Sequence, residues 1–209
     1  MKKLLALTLA FLMLFALVAC NNSEQGEDET TPTPTEAPVE LAYKSAVELL
    51  EQIKNGYNAT ATEETMLYVC GGNMNNFETT NPEGPAKFVA LEDADYDANL
   101  GYPVADVAKQ DDAASMYNMM NTNVFNCYAV HFVNSADVDA MANTLKDNIN
   151  ARQWVCGAPE KLVIVKVPGD YLVVVWGAVE FGGIVDPFVA SIANTIEGAT
   201  TLVEHSFAQ

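Results

Sequence analysis

Basic residues are scarce in this chain: ten Lys and Arg face 28 Asp and Glu over 209 residues, for a formal charge of −18. Phosphate binding requires Lys and Arg to displace counterions, so this charge excludes a nucleic-acid partner and argues against adsorption to anionic lipid. It leaves solubility, or cationic partners such as calcium or basic peptides, as its uses. Cysteine is scarce too. There are four, none spaced as CxxC, which removes the thioredoxin-type redox motif. No GxSxG elbow, HExxH helix or GxxxxGK[ST] loop is present, so the motifs of two hydrolase classes and of P-loop nucleotide binding are missing. No cofactor motif takes their place, and nothing identifies the chain as an enzyme.

What is present begins at the N-terminus. Lys2 and Lys3 precede an apolar run from Leu4 to Ala19 that only Thr8 interrupts. That run is shorter than the roughly 20 residues a spanning helix needs. Charge, apolar run and small residues form the secretory signal pattern. Leu17-Val18-Ala19-Cys20 resembles the lipobox of bacterial lipoproteins. The expectation is therefore a signal peptide over 1–19, cut before Cys20, whose thiol carries the lipid. Two acyl chains at one cysteine supply an anchor that a single chain does not, so the expected location is the outer face of the cytoplasmic membrane. Residues 20–43 are acidic and Pro/Thr-rich, too polar to offset their ordering entropy, and read as a disordered tether. With Lys2 and Lys3 gone, 8 basic residues face 28 acidic ones, and six of those acids lie in the tether.

Roughly 165 residues remain from residue 44 to 209, enough for one domain. Ser45-Ala46-Val47-Glu48 is a capping box; the helix it opens places Val47, Leu50 and Ile53 inward and is expected to close at Asn55-Gly56. Thr65 to Cys70 reads as a strand stopped by Gly71-Gly72, and residues 73–85 as a surface loop. Lys87 to Leu91 is a second strand. Asp111-Asp112 is expected to cap a short helix carrying Met116, Tyr117, Met119 and Met120. Phe125 to Val133 is a strand, and Ser135 is expected to cap a helix with Val138, Met141, Ala142, Leu145 and Ile149 at helical spacing. Leu162–Val167 and Tyr171–Trp176 flank Pro168-Gly169-Asp170 and predict a hairpin. Asp186-Pro187 opens a last helix with Phe188, Ile192 and Ile196 inward. The order predicts an α+β fold, an antiparallel sheet with helices packed against it, ending in strand–helix–hairpin–helix.

Candidate sites are few. Asp95, Asp97, Asn99 and Asp106 fall at positions 1, 3, 5 and 12 of a calcium-loop template. Leu100 stands where that template wants Gly, and position 12 is Asp, so the stretch reads either as a calcium site or as an acidic turn. Cys70, Cys127 and Cys156 are an odd set, which allows one disulfide with a free thiol, or no disulfide. His131 shares a strand face with Cys127, but four residues along a strand is about 13 Å, so His131 reads as structural and His205 as solvated tail. Gly71 to Asn76 reads as a turn or ligand-facing loop.

Two segments carry a resemblance: CGGNMNN from Cys70, and the stretch from Asp111 to Val174 that begins DDAASMYNMMNTNVFNCYAVHFV. With the lipobox, they resemble a family of uncharacterised lipoproteins of Gram-positive anaerobes, some labelled "bacteriocin transport accessory protein". The resemblance implies a lipid-anchored protein that binds a small molecule or protein partner, or that assists peptide export or envelope assembly. It supplies no catalytic residues. A thiol-dependent activity through Cys70 or Cys156 is the enzyme reading.

Overall fold

The computed structural model describes residues 41–155, 157–180 and 183–207. The expected signal peptide, the expected lipidation site Cys20, residues 20–40 of the expected tether, and Cys156 lie outside the described residues. The fold is α+β, as expected. Its elements are α1 (Ala46–Asn58), β1 (Ala86–Lys87), β2 (Gln110–Tyr117), β3 (Phe125–Phe132), α2 (Ser135–Asn150), β4 (Lys161–Val167), β5 (Tyr171–Gly177), α3 (Val185–Thr195) and β6 (Thr200–Ser206). The strands form one antiparallel sheet in the order β1-β2-β3-β5-β4-β6.

Helices cover both faces of this sheet, and side-chain alternation sorts the strand residues between two cores. Phe125, Cys127 and Ala129 of β3, with Val173 and Val175 of β5, join Leu49, Leu50 and Ile53 of α1 and Phe188 and Ile192 of α3. Tyr128 and Val130, with Val174 and Trp176, face Val138, Met141, Leu145 and Ile149 of α2. A strand buried on both faces has no polar side. That is why β4 and β5 read as almost continuous apolar runs, and both sit inside the sheet.

The capping box of α1 forms with one variation. Ser45 Oγ accepts from Glu48 N at 3.2 Å, while Glu48 Oε2 accepts from the amide of Lys44 at 2.8 Å. The helix does not close at Asn55-Gly56 but runs to Asn58. Gly56 is there for approach: a Cβ on it would collide with the Thr195 side chain of α3. α2 buries all five of its expected apolar residues, but its N-cap is Asn134, whose side chain accepts from Ala136 N.

Three sequence expectations fail. Gln110 to Tyr117 is not a short helix capped by Asp111-Asp112 but the strand β2. Its Ala-rich middle suits a helix by propensity, yet pairing with β3 and cover on both faces override that preference. Asp112 does cap a helix, from a distance: its Oδ2 accepts the Ala46 amide of α1 at 2.7 Å. Thr65 to Val69 alternates Leu67 and Val69 inward with Tyr68 outward, but it forms no strand; only Cys70 bridges to Tyr117. The expected strand at Lys87–Leu91 shrinks to Ala86–Lys87. The C-terminus differs as well, because His205 is part of edge strand β6 and hydrogen-bonds Asn150 at 3.0 Å. Tyr43, placed by sequence in the tether, is 3 % exposed, and its hydroxyl donates to Pro168 O at 2.6 Å.

Candidate functional site

Most of the sequence-predicted site residues serve the fold. Asp95, 4 % exposed, accepts from Asn75 Nδ2 (2.6 Å), Leu91 N (2.7 Å) and Asn73 Nδ2 (2.8 Å). These bonds, Asn75's first and opposed by burial, hold its carboxyl below the usual carboxylate range. Asn99 accepts the Met74 amide and donates to the Asp95 carbonyl. Asp97 accepts from Asn148 of α2 at 2.7 Å, and Asp106 pairs with Lys109 at 2.7 Å. The four calcium-loop candidates therefore point to four different tasks and do not converge. Among the described residues no three His, Cys, Asp or Glu side chains are grouped to hold an ion. The irregular turn Tyr96–Leu100 separates groups that the calcium-loop template would gather. Residues 73–85 are expected to form a surface loop, but Asn73 is completely buried against Asp95.

Cys70 and Cys127 are buried free thiols, and burial raises the pKa of both. A raised thiol pKa disfavours the thiolate that any nucleophilic step needs. No disulfide links the two. His131 faces Asp111, which is bulged out of the β2 ladder, and lies beside the Tyr171 ring. Asp111 and Tyr171 are its side-chain neighbours at this end of the sheet.

The unusual chemistry sits elsewhere, at the end of the sheet where β3 begins and β5 ends. Asn126 of β3 is in register with Trp176 of β5, and both project to the α2 side. Beyond α2 the chain brings Arg152 and Trp154 against them. The guanidinium of Arg152 lies 5.1 Å from the Trp154 ring centroid and 6.0 Å from that of Trp176, in cation–π range. The indoles meet edge to face at 6.0 Å, and Tyr128 meets Trp176 at the same distance. A cleft of about 480 Å³ opens over this cluster. Its walls are Ala98 and Asn99 of the irregular turn, the β2–β3 loop from Met119 to Asn123, and Gln153 to Val155.

Seven buried side-chain polar atoms have no hydrogen-bond partner among the described residues. Five are in this one cluster: Asn126 Oδ1, Tyr128 OH, Arg152 Nη1, Trp154 Nε1 and Trp176 Nε1. Leaving a buried polar group unpaired costs about 1–3 kcal/mol, so folded proteins keep such groups rare. Their concentration at one end of the sheet sets this place apart from the rest of the described residues. The other guanidinium nitrogen, Nη2, is committed to the Ala98 carbonyl at 2.7 Å. Burial lowers the Arg152 pKa, and the neighbouring Asp97 charge opposes that shift.

Although 28 of the 209 residues are acidic, the cleft is lined by no Asp or Glu; Arg152 is its sole ionised side chain and the sole arginine of the sequence. Sequence reasoning missed this site. The available signal was compositional, a single arginine two residues from one of only two tryptophans.

A second cleft, about 660 Å³ and more apolar, lies on the other side of Met119 and Met120 beside the exposed Tyr68. Comparison with known proteins gives no matching family model, no matching curated protein and no matching solved structure.

Proposed function

We propose that this chain is an extracytoplasmic lipoprotein whose folded domain binds a small ligand in the cleft above Asn126, Arg152 and Trp176. The observation that carries the reading is the cluster of buried, unpartnered polar atoms, four of which belong to residues lining that cleft, with Tyr128 packed behind Trp176. Ligand sites span about 300–1,000 Å³ and hold a few well-placed polar groups; this cleft lies in that size range and mixes Met74, Met119, Met120 and Val155 with a polar lining that includes Asn126 and Arg152. The anchor reading rests on the lipobox at Cys20. The chain joins the domain at Leu41, which packs by Gly169 in the β4–β5 turn, at the opposite end of the strands from the cleft. Among the described residues no helix is long and apolar enough to cross a membrane.

Labelled palmitate tests the anchor: incorporation is expected, and a Cys20→Ser chain that still takes it up rejects the site. For the cleft, a melting-temperature screen of amino acids, short peptides, sugars and anions is expected to yield a stabilising compound whose effect Thr122→Trp, at the rim, removes. No stabilising compound, or one indifferent to Thr122→Trp, rejects the cleft as the site.

A second reading is supported by the exposed Met119, Met120, Tyr68 and Val155 along these two clefts. Flexible, polarisable methionines adapt to varied surfaces, and this end then docks a protein partner in peptide export or envelope assembly.

A further inference from the structure

The cleft's chemistry points beyond ligand binding in general to a class of ligand, and the inference rests on the cleft reading above. We propose that the site takes a small carboxylate bearing a neutral N–H and an apolar side chain, the pattern of an N-acyl amino acid or the C-terminal residue of a peptide.

Three of the five unpartnered atoms are obligate donors: Arg152 Nη1 and the two indole nitrogens. Burial pushes the Tyr128 phenol far above its ordinary pKa, so its hydroxyl stays protonated and able to donate. Three donors from lining residues, the Arg152 guanidinium and the two indoles, with no carboxylate in the lining, call for an anion rich in acceptors. The remaining atom is an acceptor, Asn126 Oδ1, and it needs a donor from the ligand. That donor is neutral, because the lining holds no Asp or Glu to accompany a second cation. A carboxylate next to an amide N–H meets both demands.

The rim has apolar members. Met74, Met119 and Met120 line the cleft together with Val155, and the last three side chains are exposed. The unbranched, polarisable methionines suit an aliphatic group of variable shape. The floor atoms themselves are closed off from solvent, so the ligand reaches them as the rim yields. One clasp holds that rim: Asn123 Nδ2 donates to Val155 O (2.9 Å) and Gly157 O (2.6 Å), tying the β2–β3 loop to the segment after α2.

The protein contains its own reporter. Its only two tryptophans, Trp154 and Trp176, both lie in the cluster, so intrinsic fluorescence reads the site directly. The full chain in non-ionic detergent is titrated with N-acetyl-L-leucine, N-acetyl-L-leucinamide, inorganic phosphate and N-acetylglucosamine. N-acetyl-L-leucine is expected to give a saturable change, with the amide at least tenfold weaker and phosphate and the sugar without saturation. Arg152→Gln is expected to weaken N-acetyl-L-leucine at least tenfold, and Arg152→Lys, which keeps the charge but not the fork, by less. Circular dichroism of each variant confirms that the loss is not unfolding, and an unfolded Arg152→Gln passes the test to Asn126→Leu, expected to weaken binding by a similar factor. Saturation by the amide or the sugar as strong as by the acid overturns the carboxylate while leaving a ligand-binding cleft. Phosphate binding more tightly than N-acetyl-L-leucine overturns it in favour of another anion. Silence towards all four probes, or undiminished binding by folded Arg152→Gln, overturns it outright.

Discussion

The two ends of the six-stranded sheet treat their polar side chains in opposite ways. At the end where Leu41 enters, those side chains are matched. Tyr43 OH donates to Pro168 O, Asp112 accepts the first amide of α1 and lies 3.9 Å from Lys87, and Asp111 meets His131. At the other end Asn126, Tyr128, Arg152, Trp154 and Trp176 keep a buried donor or acceptor without a partner among the described residues. A cleft is present at both ends, and the one beside His131 is the larger, at about 640 Å³. Volume therefore does not separate them. What separates them is whether the buried polar groups are already satisfied among the described residues.

This contrast can be broken by mutation. The largest effect is expected at Asp95, whose network holds the cleft wall formed by Asn99 and Met74. Asp95→Ala strips an acceptor from three donors and is expected to lower unfolding free energy by about 2–4 kcal/mol in urea denaturation. Asp95 also gives the pH dependence its sign. Its folded pKa lies below that of an unfolded aspartate, so its contribution is complete above about pH 4–5 and is lost as pH falls through the folded value. The gap between wild type and Asp95→Asn should then narrow in acid. A gap that widens as pH falls contradicts this account of the network.

Asp112→Ala is expected to cost about 1–2 kcal/mol, the worth of a lost helix cap, read as a lower urea midpoint with an unchanged slope. Tyr43→Phe removes one hydrogen bond at the same end and should cost about 1 kcal/mol. The smallest effect on stability is expected at the far end. Asn126→Leu keeps the branched shape and removes an unpartnered acceptor, so stability should hold or rise by up to about 1 kcal/mol. A loss above about 2 kcal/mol there would mean that Asn126 supports the fold as Asp112 does, and the contrast between the two ends would disappear.

Local patterns account for what was legible. The apolar positions of α2 from Val138 to Ile149, the β4–β5 hairpin about Pro168-Gly169-Asp170 and the Ser45 cap of α1 each draw on neighbours within one or two turns of chain. β2 was misread because its Ala113-Ala114-Ser115 stretch has helical propensity, and its strand geometry comes from β3 and from the cover of α1 and Gly72. The Asp95–Asp106 spacing suggested a calcium loop, but it cannot show that Asn73 and Asn75, some twenty residues earlier, occupy the Asp95 carboxylate.

The sequence by itself determined the acidic charge, the lipobox ending at Cys20 and the two-sided apolar strands that require a covered sheet, because composition and periodicity carry them. Only the tertiary structure decided which buried polar groups are left without partners among the described residues. Asn126, Arg152, Trp154 and Trp176 come from three separate stretches of chain, and nothing local says whether a side chain's donor is satisfied. That depends on which distant groups pack around it, and here the fold closes over Arg152 and both indoles without supplying an acceptor for each donor.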